Sequence, residues 1–245
     1  MIALSAEDAH AQKAVTQVLA LYSTNVEPDH VAFAKEALRF YAALGSKDHV
    51  DLHASTNWDD LSTLTLSKYQ VVLWLNDSPH TPAQRAAFQQ YMEHGGAWLG
   101  FHVSAYNDED THWPWFVHFL GGAVFDGNNW PPLPAKLTIT QLTANDAASP
   151  VTRRLPTSYV APANEWYIWK PDPRANKDVR VLLTLDPANY PLGLKDIITA
   201  GDLPVVWTNT NYKMIYINMG HGNTFASPTQ NFLFEDALLW LGQRR

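Results

Sequence analysis

Three residues of this chain stand where proton chemistry would need them. His102 follows an apolar run and a glycine, in Gly100-Phe101-His102-Val103-Ser104. His221 sits between two glycines, after the apolar run from Met214 to Met219. Glu165 lies among aromatics, in Asn164-Glu165-Trp166-Tyr167. An unperturbed imidazole titrates near pH ~6.5, so it serves as general base, general acid or metal ligand. A carboxyl among aromatic rings is desolvated, which raises its pKa and suits it to proton transfer. We therefore expect His102, Glu165 and His221 to be catalytic. Each also has a plainer reading: a histidine that ties down a turn, or a carboxylate paired with an arginine or a backbone amide. Two histidines and a carboxylate are a ligand set for Fe(II) or zinc. The three show no local ligand spacing such as His-x-x-x-His, so the sequence demands no cofactor, and a divalent metal is merely compatible with it.

The expected substrate contacts are Asn76, Ser104, Trp113, Asn128, Trp130, Trp166 and Tyr167. Asn76 ends an apolar run and suits a hydroxyl partner or a turn cap. The chain holds 10 Trp and 10 Tyr, many in polar, proline-rich stretches. Ring faces of this kind stack on sugars, and they also pack cores.

The elements that must position these residues are legible as short runs. Tyr69 to Asn76 and Ala97 to Ser104 are continuous and apolar, as strands buried on both faces are. Between them, Thr81-Pro82-Ala83-Gln84 reads as a capped helix start, and Gly95-Gly96 as its stop. Ala83, Ala86, Ala87 and Tyr91 should share its buried face. Further strands are expected from Val15 to Tyr22 and from His49 to His53, the latter with both histidines exposed. A helix is expected from Pro28 to about Leu44, with Val31, Ala34, Leu38 and Tyr41 inward. The first hundred residues thus alternate strand and helix, as a doubly wound parallel sheet does. Its ligands bind at the carboxyl ends of the strands, which is where Asn76 and His102 fall.

After Ser104 the expectations are a short helix at Trp113–Leu120, a loop from Phe125 to Pro134, and an antiparallel edge strand at Leu137–Leu142. Strands follow at Val179–Leu185, Pro204–Thr208 and Met214–Met219. The last helix should bury Phe234, Ala237, Leu238 and Leu241. Residues 1–13 read as loosely ordered, and the whole chain, 1–245, as a single domain.

Composition excludes several classes. A net charge of −7 without a basic run argues against a nucleic-acid partner. The absence of cysteine rules out disulfides, thiolate metal sites and a cysteine nucleophile. No apolar run approaches the ~20 residues of a membrane span. No signal peptide is visible, so the expectation is a soluble protein, cytoplasmic or exported with its signal removed. The oligomeric state is left open.

The order of motifs resembles the trehalose-utilisation, or ThuA-like, family. The matching pieces are Leu73-Trp74-Leu75-Asn76, Gly95-Gly96, Gly100-Phe101-His102, Trp113-Pro114-Trp115 with Gly121-Gly122, Asn164-Glu165-Trp166-Tyr167, Val181 to Asp186, Pro204 to Trp207, and Gly220-His221. The resemblance implies a flavodoxin-like α/β fold, similar to class I glutamine amidotransferases, with added antiparallel edge strands. It implies a small-molecule sugar ligand, and either an enzyme using acid–base chemistry, a hydrolase or isomerase, or a sugar-binding module without turnover. In the wider superfamily a Gly-x-Cys-x-Gly elbow carries the nucleophile; here that position falls at or next to His102. Amidotransfer through a thiolate is therefore excluded. Two departures from the family pattern are the loop Phe125-Asp126-Gly127-Asn128-Asn129-Trp130, which lacks a histidine, and Ser104-Ala105-Tyr106, which lacks an Asp.

Overall fold

The computed structural model of the protein describes residues 15–140 and 149–243. The segment expected to be loosely ordered, 1–13, lies outside them, as does the end of the strand read from Leu137 to Leu142.

The strands are β1 (Thr16–Leu21), β2 (Val50–Ser55), β3 (Val71–Trp74), β4 (Ala97–Phe101), β5 (Val124–Asn128) and β6 (Leu133–Ile139). They continue as β7 (Ser158–Asn164), β8 (Tyr167–Lys170), β9 (Val179–Leu185), β10 (Pro204–Asn209) and β11 (Lys213–Ile217). The helices are α1 (Pro28–Ala43), α2 (Gly45–Asp48), α3 (Thr63–Leu66), α4 (Pro82–Glu93), α5 (Pro114–Phe119) and α6 (Pro228–Gly242). Nine strands form one sheet, in the order β2-β1-β3-β4-β11-β10-β9-β6-β7. From β2 to β11 every pairing is parallel. From β11 to β7 every pairing is antiparallel.

Strand pleating divides the core in two. Val71, Leu73, Ala97 and Leu99 face α1 and α6, packing with Phe33, Tyr41, Phe234 and Leu238. Val72, Trp74 and Trp98 face the other way, onto Leu66 of α3, Phe88 of α4 and Phe116 of α5. Both faces of β3 and β4 are thus covered, which is why those strands are apolar at every position. This is the doubly wound arrangement.

The helix ends follow their caps. Thr81 and Gln84 form the reciprocal capping box of α4. Gly95 follows the helix with φ of 87°, a left-handed turn that glycine takes without steric cost. The buried face of α4 is Gln84, Phe88 and Met92, while Ala83 and Ala86 are exposed. In α1 the inward residues are His30, Phe33, Ala34, Ala37 and Tyr41. That face is rotated from the expected one, and Val31 and Leu38 lie at its margin. The larger rings Phe33 and Phe88 win the core positions because they remove more apolar surface from water.

Two further expectations change. The strand holding Leu137 is antiparallel and lies beyond the parallel half, but it is flanked by β9 and β7 and is not the edge. The edge is β7, which contains Pro162; an edge strand tolerates a proline because one row of its N–H groups needs no partner. The stretch from Phe125, read as loop, instead contributes to β5, which pairs with β8 as a separate two-stranded ribbon. Gly127, Asn128 and Asp126 hide that strand from any alternation pattern.

Candidate functional site

The parallel strands all end on one edge of the sheet, and the candidate groups gather there. His102 follows β4, His221 follows β11, and Glu165 follows β7. His102 takes φ of 46°, a left-handed conformation uncommon outside glycine, at the sharp turn leaving β4. Its Nδ1 lies 2.8 Å from the backbone oxygen of Asn218. A carbonyl only accepts, so Nδ1 carries the hydrogen; this contact outranks the 3.5 Å approach of Asn218 Nδ2. The lone pair of the neutral ring then sits on Nε2, which is buried without a hydrogen-bond partner. Nε2 is 3.8 Å from Glu165 Oε2. Burial pushes the His102 pKa well below the ordinary histidine value, and the neighbouring His30 and His221 push it the same way.

His221 Nε2 is also buried without a partner, and lies 3.8 Å from the other carboxylate oxygen of Glu165, Oε1. Glu165 is 8% exposed. Burial raises its pKa, opposed by His221 and reinforced by Glu27 and Asp29. One side chain organises the two loops: Asn164 Oδ1 accepts from the N–H groups of Gly220 and His221, at 3.2 and 3.1 Å. Asn164 Nδ2 donates to the backbone oxygens of Glu165 and Asn218, at 2.7 and 3.1 Å. The structure therefore brings His102, Glu165 and His221 together. It also seals His102, which is fully buried where a half-open ring would suit a base in a cleft. Tyr167 covers that ring with centroids 4.2 Å apart.

Sequence inspection missed three members of the cluster. His30, in the first turn of α1, is buried, and its ring centroid lies 5.1 Å from those of His102 and His221. Burial lowers its pKa, against the opposing pull of Glu27. Glu27, the residue before α1, has Oε2 3.6 Å from His30 Nδ1 and Oε1 3.6 Å from His221 Nε2. Asp29 Oδ2 is 3.7 Å from His221 Nδ1. The available signal was the Glu27-x-x-His30 spacing at a proline-marked helix start, which puts both side chains on one side of the first turn.

The expected substrate contacts separate. Asn76 holds the loop before α1: its Oδ1 accepts from Ser23 N at 2.8 Å, and its Nδ2 donates to Ser23 O and His30 O. Ser104 is fully buried, with Oγ unpartnered. Trp113 packs on Phe116 and Trp115, and Trp166 is buried with Nε1 donating to Leu133 O. Asn128 is half-buried and donates to Asn129 O. Trp130 is exposed. Of these, Tyr167 packs on a catalytic candidate, His102. Tyr167 continues through Phe125 to exposed Tyr106, with centroid spacings of 4.8 and 4.9 Å, an aromatic wall from the surface to His102.

A concavity of about 600 Å³ lies elsewhere, against Gln70, Gly96 and Lys213. These mark the amino ends of β3, β4 and β11, the edge opposite to where α/β sheets bind ligands. The histidine cluster is therefore the better candidate. Among the described residues no helix is long and apolar enough to cross a membrane.

Comparison with known proteins agrees with this architecture. A ThuA-like protein from Bacteroides uniformis is 49% identical, with 96% of this chain and 95% of that one covered and a TM-score of 0.88. A ThuA-like protein from Parabacteroides merdae is 16% identical over 94% and 91% of the two chains, with a TM-score of 0.64. A protein described as a GMP synthase component, from Thermoplasma acidophilum, shares the fold at 10% identity and a TM-score of 0.55, over 94% and 96% of the chains. A search of curated proteins returned no match. The sequence profile described as "Trehalose utilisation" (ThuA) matches residues 17–241. This chain belongs to the ThuA family.

Proposed function

We propose that the protein is an enzyme acting on a sugar or sugar derivative by proton transfer, with Glu165 as the central acid. The observation that carries this is the placement of the two oxygens of Glu165 at 3.8 Å from His102 Nε2 and from His221 Nε2. These gaps exceed a hydrogen bond. His102, with its lone pair directed at Glu165, is the base, and His221 faces the second carboxylate oxygen. Membership of a trehalose-utilisation family supports a carbohydrate-related role. The reaction class in view is hydrolysis or isomerisation, and no thiolate chemistry is available.

The test is product analysis on the purified chain with trehalose, other disaccharides and their phosphorylated and oxidised derivatives. Turnover in the wild type and its loss in Glu165→Gln support the proposal. The full burial of His102 favours a second reading, a sugar-binding module without turnover. Saturable sugar binding with no product would replace the first reading with the second.

A further inference from the structure

We infer that Glu27, His30 and His221 form a binding site for a divalent transition-metal cation, with Glu165 as a fourth donor. The donor atoms of the first three all lie within 4.8 Å of one another. Glu27 approaches both histidines at 3.6 Å, and Glu165 approaches His221 at 3.8 Å. Those gaps are too long for hydrogen bonds. They are close to the ~3.4 Å that separates neighbouring ligands when each lies ~2.1 Å from one tetrahedral zinc.

A second observation points the same way. His30 is 6% exposed and His221 is 1% exposed, yet Nε2 of each is buried with no hydrogen-bond partner. Buried polar atoms are normally paired. His221 Nε2, unpaired between Glu27 and Glu165, has the donor and charge pattern of a cation site, not of a packed core, and His30 turns its other ring nitrogen, Nδ1, toward Glu27. The supports around them are those such a site needs. Asn76 holds the His30 carbonyl, Asn164 holds the His221 N–H, and Asp29 faces the far ring nitrogen of His221. Glu27 is half exposed and lies at the mouth of the cluster, where a cation would enter. Imidazole with carboxylate selects zinc, Fe(II) or a similar ion over Mg²⁺ or Ca²⁺, which prefer oxygen donors alone.

The cation site shares His221 and Glu165 with the sugar chemistry proposed above, but cation binding is measured without turnover. It is tested on the tag-free full chain after chelator treatment and dialysis, by calorimetric titration with Zn²⁺ and, separately, Mg²⁺. The expected result is one Zn²⁺ per chain, and no comparable Mg²⁺ isotherm. Co²⁺ should give visible absorption bands that Zn²⁺ displaces. His30→Gln and Glu27→Gln should each weaken Zn²⁺ binding by roughly a hundredfold. Glu27→Gln is the safer variant, because a half-exposed residue before the helix supports little packing. His53→Ala, at an exposed histidine outside the cluster, should leave the titration unchanged. Absence of stoichiometric Zn²⁺ binding, or binding unchanged in both Gln variants, overturns the inference. Zn²⁺ binding without sugar turnover would leave it standing and remove the catalytic proposal, while turnover with no Zn²⁺ binding would do the reverse.

Discussion

Gly220 packs so closely on His102 that a β-carbon added to it would lie 2.4 Å from the β-carbon of His102. The contact joins the turn after β11 to the turn after β4, so the two histidine-bearing loops are set by one backbone approach. Only glycine permits it. Gly220→Ala should force His102 outward and cost about 1–3 kcal/mol, as overpacking does. Ligand affinity or turnover should fall by more than the stability loss accounts for. A melt paired with an activity titration checks this; an unchanged melting point would mean that the loops yield freely.

His102 itself separates a working role from a structural one. His102→Asn preserves tolerance of the left-handed backbone, which His102→Ala does not, at about 1–2 kcal/mol. Asn218 O keeps a donor in either variant, because Asn164 Nδ2 also reaches it. His102→Asn should therefore melt close to the wild type while turnover drops by roughly two to four orders of magnitude. A large fall in Tm with ligand binding intact would withdraw His102 from the site.

Asn164 carries no chemistry, but four backbone groups of the site depend on it. Asn164→Ala leaves the buried N–H groups of Gly220 and His221 without their acceptor. An unsatisfied buried group costs about 1–3 kcal/mol, so a loss of about 2–4 kcal/mol is expected. In a chain of this size that is a Tm decrease of roughly 5–15 °C. Differential scanning calorimetry measures it, and a shift below 2 °C would show that water replaces the amide.

Part of the acid sensitivity should arise far from the site, at Asp186. The Asp186 pKa is pushed down from 3.8 to about 2 by the Ala188 N–H, then by Thr138 and Lys136. A folded-state pKa below the unfolded value adds stability above about pH 4, and that stability is lost as the pH falls through about 2. Asp186→Asn should therefore melt lower than the wild type at neutral pH, and the gap should narrow between pH 4 and pH 2. Melting curves across that range decide it: a gap that stays constant with pH would assign the contribution to hydrogen-bond geometry instead of charge.

What the sequence determined by itself was the parallel half of the sheet and the edge on which ligands would bind. Continuous apolar runs such as Val71–Trp74 and Ala97–Phe101 have one stable solution, burial on both faces, and the capping box at Thr81 and Gln84 punctuates the crossover between them. That is enough to put His102 and His221 at strand ends. The gathering of Glu165 with them came from tertiary structure, because the antiparallel half returns its strand ends to the same edge through long-range pairing that no local pattern encodes. Trp113 and Trp166 show the same limit from the other side: a tryptophan in a polar stretch reads alike whether it stacks on a ligand or fills a core, and here both are packed. His30 is the sharpest case. Its inclusion depends on the rotation of α1 about its own axis, and that rotation is decided by which large rings the sheet accepts. Phe33 and Tyr41 take the core positions, and the turn that buries them carries His30 in among the other two imidazoles.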